Sequence, residues 1–121
     1  LPADAPELID SYYALGQAYR AVSDFPAADT MFHRVLRARE ASHGVNSTES
    51  AVALAAIGLV RWRQGELVEA ESLLLQAVRI NEASLEPDDP RLARDLMGLG
   101  IIYWTQGRLA DAEPMMRRSL E

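Results

Sequence analysis

The amino-acid sequence predicts an all-α protein, a right-handed α-solenoid of three tandem helix-turn-helix repeats, on three observations. Gly16, Gly58 and Gly100 lie 42 residues apart, and the same shift superposes Leu15, Ile57 and Leu99, then Ala28, Ala70 and Ala112, then Phe32, Leu74 and Met116. Self-similarity at a period of this size marks an architecture of stacked units. The apolar residues between these markers step by three and four, the spacing of one helical face. No window alternates with period two in β-branched residues, so no strand is expected. Repeats at about 1–42, 43–84 and 85–121 fill the chain as a single domain, the third lacking its last five positions.

Each element follows from its own residues. The first helix, near 6–22, opens with Pro6 in its first turn and carries Leu8, Tyr12, Leu15, Tyr19 and Val22 as one stripe. The second, near 25–42, repeats the spacing with Phe25, Ala28, Phe32 and Val35. Ser47 is placed to cap the third, near 48–64, and Gly65 to stop it in a left-handed conformation. The fourth, near 67–84, has Glu66 and Glu69 where the helix dipole favours anions, and Leu67, Ala70, Leu74, Ala77 and Val78 as its apolar face. Asp89 and Pro90 start the fifth, near 90–106, whose stripe is Leu92, Leu96, Leu99 and Tyr103, and Gly107 ends it. The sixth, near 109–121, carries Asp111 and Glu113 early and Pro114 beyond its first turn, where a hydrogen bond is lost unless the helix starts late or bends.

Composition removes whole classes of function. With 49% hydrophobic and 25% charged residues the 121-residue chain has the balance of a globular protein. The absence of cysteine excludes disulfides, thiolate metal sites and thiol nucleophiles, and the absence of lysine excludes Schiff-base chemistry. A net charge of −6 has the wrong sign for nucleic acid or an anionic membrane, and no apolar run approaches the ~20 residues of a membrane span. Leu1 in place of an initiator Met, and an end at Glu121 inside a helical pattern, read as a segment of a longer intracellular, cytoplasmic protein.

Catalytic signals are weak. His33 and His43 are the two histidines, fit surface or packing roles, and have no third ligand or nucleophile nearby in sequence. Gly98-Leu99-Gly100 lies in a helical pattern without a preceding strand or a third glycine, so it is no dinucleotide fingerprint. Asp88 and Asp89 read as solvated turn and cap residues. No enzyme, metal or cofactor is expected.

The pattern of a large residue, then Leu, Gly and Tyr, followed by Ala, a large apolar residue and Ala, resembles the tetratricopeptide repeat. The 42-residue period, with Gln106-Gly107-Arg108-Leu109-Ala110-Asp111-Ala112-Glu113-Pro114 and Pro87-Asp88-Asp89-Pro90, is similar to the longer version in kinesin light chains and many bacterial multidomain proteins. Two departures are Arg61 at the tyrosine position and Ser23 at the turn glycine.

The resemblance implies a protein–protein interaction module whose first helices line a concave groove. Its groove positions fall here on Asp10, Tyr13, Gln17, Arg20 and Ala21; on Val52, Ala55, Leu59, Trp62 and Arg63; and on Arg94, Met97, Ile101, Trp104 and Thr105. Trp62 and Trp104 occupy equivalent places, so the groove is expected to be apolar with an arginine rim, where an aromatic anchors a peptide and Arg pairs with its carboxylates. The same two tryptophans could instead close gaps between neighbouring first helices. The Lys and Asn that clamp a terminal carboxylate in chaperone-binding arrays are missing, which disfavours that partner. Two other roles fit the resemblance: a regulatory or scaffold segment of a bacterial signalling protein such as a serine/threonine kinase, and a structural spacer or self-association module acting through the C-terminal repeat.

Overall fold

The computed structural model describes residues 5–121; residues 1–4, with Leu1, lie outside the described part. The described residues form six helices and no strand: α1 Pro6–Ala21, α2 Phe25–His43, α3 Thr48–Arg63, α4 Leu67–Ser84, α5 Pro90–Thr105 and α6 Leu109–Ser119. Consecutive helices pack on one another along the whole chain, and α3 also touches α5. This is the predicted helix-pair array.

The capping chemistry sits where the sequence places it. The Ser47 side chain accepts from the Ser50 amide at 3.1 Å, and the Asp89 carboxylate accepts from the Arg91 amide at 2.8 Å. Gly65 and Gly107 turn the chain at φ of 80° and 78°, and Ser23, the residue at their position in the first repeat, adopts φ 62° despite its side chain. Pro114 lies inside α6, which continues through it to Ser119.

Within each repeat a glycine meets a large residue sixteen positions later. A Cβ on Gly16 would lie 2.6 Å from Phe32 Cε1, and one on Gly100 2.7 Å from Met116 Cγ; Gly58 faces Leu74 still more closely. Real Cβ atoms do not approach so near, so glycine lets the large side chain press on the helix backbone. Phe32, Leu74, Ala28 and Ala70 are fully or almost fully buried in consequence.

One expectation needs correction, and one departure from the repeat pattern finds its physical reason. Leu15 and Val22, assigned to an apolar stripe, are 42% and 73% exposed, whereas Ile57 and Leu99, which superpose on Leu15, are 1% exposed. In α3 and α5 that face packs on the preceding repeat; in α1 no described residue lies beyond it. The departure is the tyrosine position filled by Arg61. Its guanidinium reaches both Asp29 oxygens across the repeat boundary, at 3.2 and 3.3 Å, and also meets Glu66 at 3.2 Å, replacing an aromatic contact with an ion-pair cluster.

Candidate functional site

The face built by the three first helices carries a trough over α3, walled by α1 and α5. It holds three cavities in series. One of about 430 Å³ lies at the helix N-termini, bounded by Ile9, Asp10, Arg39, Glu49, Val52 and Arg91. A central one of about 120 Å³ is lined by Tyr13, Gln17, Arg20, Val52, Ala55, Leu59, Arg94 and Asp95, with Leu74 and Asn81 of α4 at its base. A third, of about 270 Å³, lies at the C-terminal ends among Arg20, Ala21, Leu59, Trp62 and Arg63. The first two share Val52 and Arg91, and the last two share Arg20 and Leu59. With ~1.5 Å of rise per residue, the 16 residues of α3 give the trough a length of about 24 Å.

The structure places Tyr13, Gln17, Arg20, Leu59, Trp62 and Arg63 along the central and third cavities. Met97 and Ile101, also expected there, are half-buried on α5 and line none of these three cavities. Thr105 is drawn into the array itself: Trp62 Nε1 donates to its Oγ1 at 2.9 Å, and its hydroxyl donates to the Ile101 carbonyl at 2.8 Å. Trp62 is thus half-buried and tied to the next repeat.

Trp104 departs from its equivalent. It is 63% exposed and borders a separate open cavity of about 560 Å³ with Leu109, Met116 and Leu120, on the C-terminal face. The Trp62 indole is covered by α5, and no described helix occupies the corresponding place beside Trp104. The two tryptophans are equivalent in sequence and different in environment.

Five of the twelve arginines meet a carboxylate. Arg61, Arg108, Arg117 and Arg118 are each paired with carboxylates outside the trough. Along the trough, Arg91 is held by Asp89 at 3.0 Å, while Arg20, Arg63 and Arg94 meet no carboxylate within ion-pair distance among the described residues. Arg63 instead lies over the Phe25 ring at 5.1 Å. Arg34, Arg37, Arg39 and Arg79, on the second helices, also meet no carboxylate among the described residues, and Arg39 bounds the first cavity.

A polar pair absent from the expected groove set lies at the base. Asn81 Nδ2 donates to Asp95 Oδ2 at 2.6 Å, and both residues are buried. Burial pushes the Asp95 carboxyl up to about 6, against the opposing pull of the Asn81 hydrogen bond and of the Arg94 charge. The signal was in the repeat alignment: Asp95 superposes on Ala53, and Asn81 on Arg39.

His33 Nδ1 lies 2.9 Å from the Asp29 carbonyl and 3.3 Å from its carboxylate within one helix turn, and His43 is exposed at the end of α2. Among the described residues no group of three or more His, Asp or Glu is placed to hold a metal ion, and no helix is long and apolar enough to cross a membrane. What the face offers is a shaped, partly apolar trough edged by arginines.

Comparison with known proteins follows the architecture. One tetratricopeptide repeat family model matches residues 49–121, and a second matches residues 8–49. No curated protein sequence matches significantly. Among solved structures, BtubC (BKLC) from P. vanneervenii superposes with a TM-score of 0.86 at 16% identity, covering 97% of this chain and 47% of its own. A kinesin-light-chain-type protein of Podosopora anserina with nearly identical TPR-like repeats gives 0.79 at 19% identity, over 98% of this chain and 56% of its own. A variant of that protein gives 0.82 with the same identity and coverage. The chain thus spans about half the length of these structures, and at such identities the likeness is one of fold.

Proposed function

The chain belongs to the tetratricopeptide repeat family, and from that premise we propose that it binds a peptide or protein segment along the trough over α3, without catalysis of its own. Tetratricopeptide repeats generally mediate protein–protein interaction, and the fold is typically non-catalytic. The observation that supports a segment-binding role is the trough itself. It has an apolar floor at Val52, Ala55 and Leu59, two walls from neighbouring repeats, and Arg20, Arg63 and Arg94 without carboxylates of their own. An arginine held ready beside an apolar floor gains most from a partner's carboxylate, because its planar donors bind bidentately.

The test is selection of displayed random peptides on the immobilised protein. Enriched peptides should be acidic, and their affinity should fall at least tenfold for Arg20→Glu and for Leu59→Asp while the melting temperature stays within a few degrees. If no peptide is enriched, or if enriched peptides bind both variants as well as the native protein, the reading fails. A second reading, self-association through the C-terminal repeat, draws support from the exposed Trp104, Leu109 and Leu120 around the cavity at that end.

A further inference from the structure

Two polar side chains interrupt the repeat where it is tightly packed. Where the second repeat has the fully buried Ala53, the third has Asp95, 7% exposed; where α2 has Arg39, α4 has Asn81, 2% exposed. The same α4–α5 interface buries Leu74, Val78, Leu92 and Leu96. Burying a carboxyl and a carboxamide there is unfavourable unless their hydrogen-bonding capacity is met. The pair makes one hydrogen bond, from Asn81 Nδ2 to Asp95 Oδ2, and Asn81 Oδ1 is left without a partner among the described residues. Both side chains line the central cavity, and so does Gln17, whose Oε1 is likewise buried without a partner while its Nε2 donates to the Tyr13 hydroxyl at 3.2 Å. The two buried polar atoms of this cavity without a partner, Gln17 Oε1 and Asn81 Oδ1, are both acceptors.

We propose that the central cavity receives a lysine side chain of the segment bound in the trough, its aliphatic stem against Val52, Ala55 and Leu59 and its ammonium at Asp95 and Asn81 Oδ1. An ammonium carries three donors and no acceptor, which matches the Asp95 carboxylate and the two buried unpartnered acceptors. A guanidinium fits less well, because its planar fork seeks both oxygens of a carboxylate and Asp95 Oδ2 already accepts from Asn81. Of the three arginines that line the same cavity, Arg91 is neutralised by Asp89, Arg94 is exposed at the rim, and Arg20 stands half-buried on α1 without an ion pair. Arg20 and Arg94 then face the residues on either side, so the preferred segment has a lysine flanked by acidic side chains. This inference rests on the segment-binding reading of the trough.

The probe is n-butylammonium chloride, a lysine side chain without a backbone, titrated into the isotopically labelled 121-residue protein, with tetramethylammonium chloride at equal ionic strength as the control that lacks donors. Saturable shifts of the Asn81 carboxamide and the Asp95 carboxyl carbon are expected with butylammonium alone. Asp95→Asn, which keeps the shape of the site, should weaken binding at least tenfold; Val52→Phe, which leaves Asp95 in place and fills the stem channel, should do the same. Equal, linear shifts with both salts, or undiminished affinity in both variants, would show that the cavity holds only water and overturn the proposal. Because the probe has no peptide backbone, its failure leaves the segment-binding reading to the peptide selection, which can fail independently.

Discussion

A methyl group placed on Gly16 would lie 2.6 Å from Cε1 of Phe32, a ring with no exposed surface. The ring cannot retreat, because its own neighbours are packed. Gly16→Ala is therefore expected to destabilise the protein by about 1–2 kcal/mol, even though alanine favours an exposed helix interior by ~1 kcal/mol over glycine. Chemical denaturation measures the difference, and Phe32→Leu in the same chain should recover part of it. A stabilised Gly16→Ala variant would mean that the α1–α2 contact is looser than described.

Ala28, Ala70 and Ala112 test the same packing from the other helix. They are 0%, 0% and 3% exposed, so substitution by Leu is expected to cost about 1–3 kcal/mol at each. Neutral melting temperatures at all three positions would contradict the close approach of the helix pairs.

The two tryptophans should part company. Trp62→Ala removes a half-buried indole and its hydrogen bond to Thr105, and is expected to cost about 2–3 kcal/mol. Trp104→Ala removes an exposed side chain and should stay within about 0.5 kcal/mol. Thermal melting of the two single variants distinguishes them, and equal losses would refute the asymmetry.

Asp95 should leave a signature in the pH dependence of stability. Its carboxyl is raised from 3.8 to about 6, so between those values the folded state holds a proton that the unfolded state has released. Stability from this group is accordingly greatest below pH ~4 and is lost as pH rises through about 6, by on the order of 2–3 kcal/mol. Asp95→Asn removes the charge and keeps the shape, so it should be the more stable protein at pH 7 and lose that advantage toward pH 4. Urea denaturation across this range checks the sign, and a constant difference would show that Asp95 is solvated.

The C-terminal face predicts concentration-dependent association. Leu120, Leu109 and Trp104 are 82%, 60% and 63% exposed around one cavity, and covering such surface is worth roughly 25 cal/mol per Å². Sedimentation of the chain should show self-association at high concentration, reduced by Leu120→Glu. Appending a polar capping helix after Glu121 should weaken it as well; a capped protein that associates as strongly points to a functional homodimer.

The period of 42 residues made the helix pairs legible, because caps such as Ser47 and Asp89 and turn residues such as Gly65 act through their immediate neighbours. Burial at the ends was not legible. Leu15 and Ile57 have the same local pattern, and what separates them is whether another repeat lies alongside. For the site, the resemblance to the tetratricopeptide repeat implied that Tyr13, Gln17, Arg20, Leu59, Trp62 and Arg63 share one face, which local helical geometry is enough to keep. It could not show that Thr105 would be taken up by Trp62, a contact between residues in different repeats. Asp95 was missed because a lone carboxylate reads as solvated; its superposition on Ala53 was the sign that it faces inward.

Since each helix packs chiefly on the helix before it and the helix after it, the chain behaves as a short one-dimensional array. Such arrays open from their ends, so amide hydrogen exchange should be slowest in α3 and α4 and fastest in α1 and in α6, where Pro114 also removes an internal bond. The trough is walled by α1, α3 and α5, one helix from every unit. A segment lying in it would bind all three units at once and slow the fraying of both ends together. Occupancy would thereby convert three loosely coupled units into a single cooperative one.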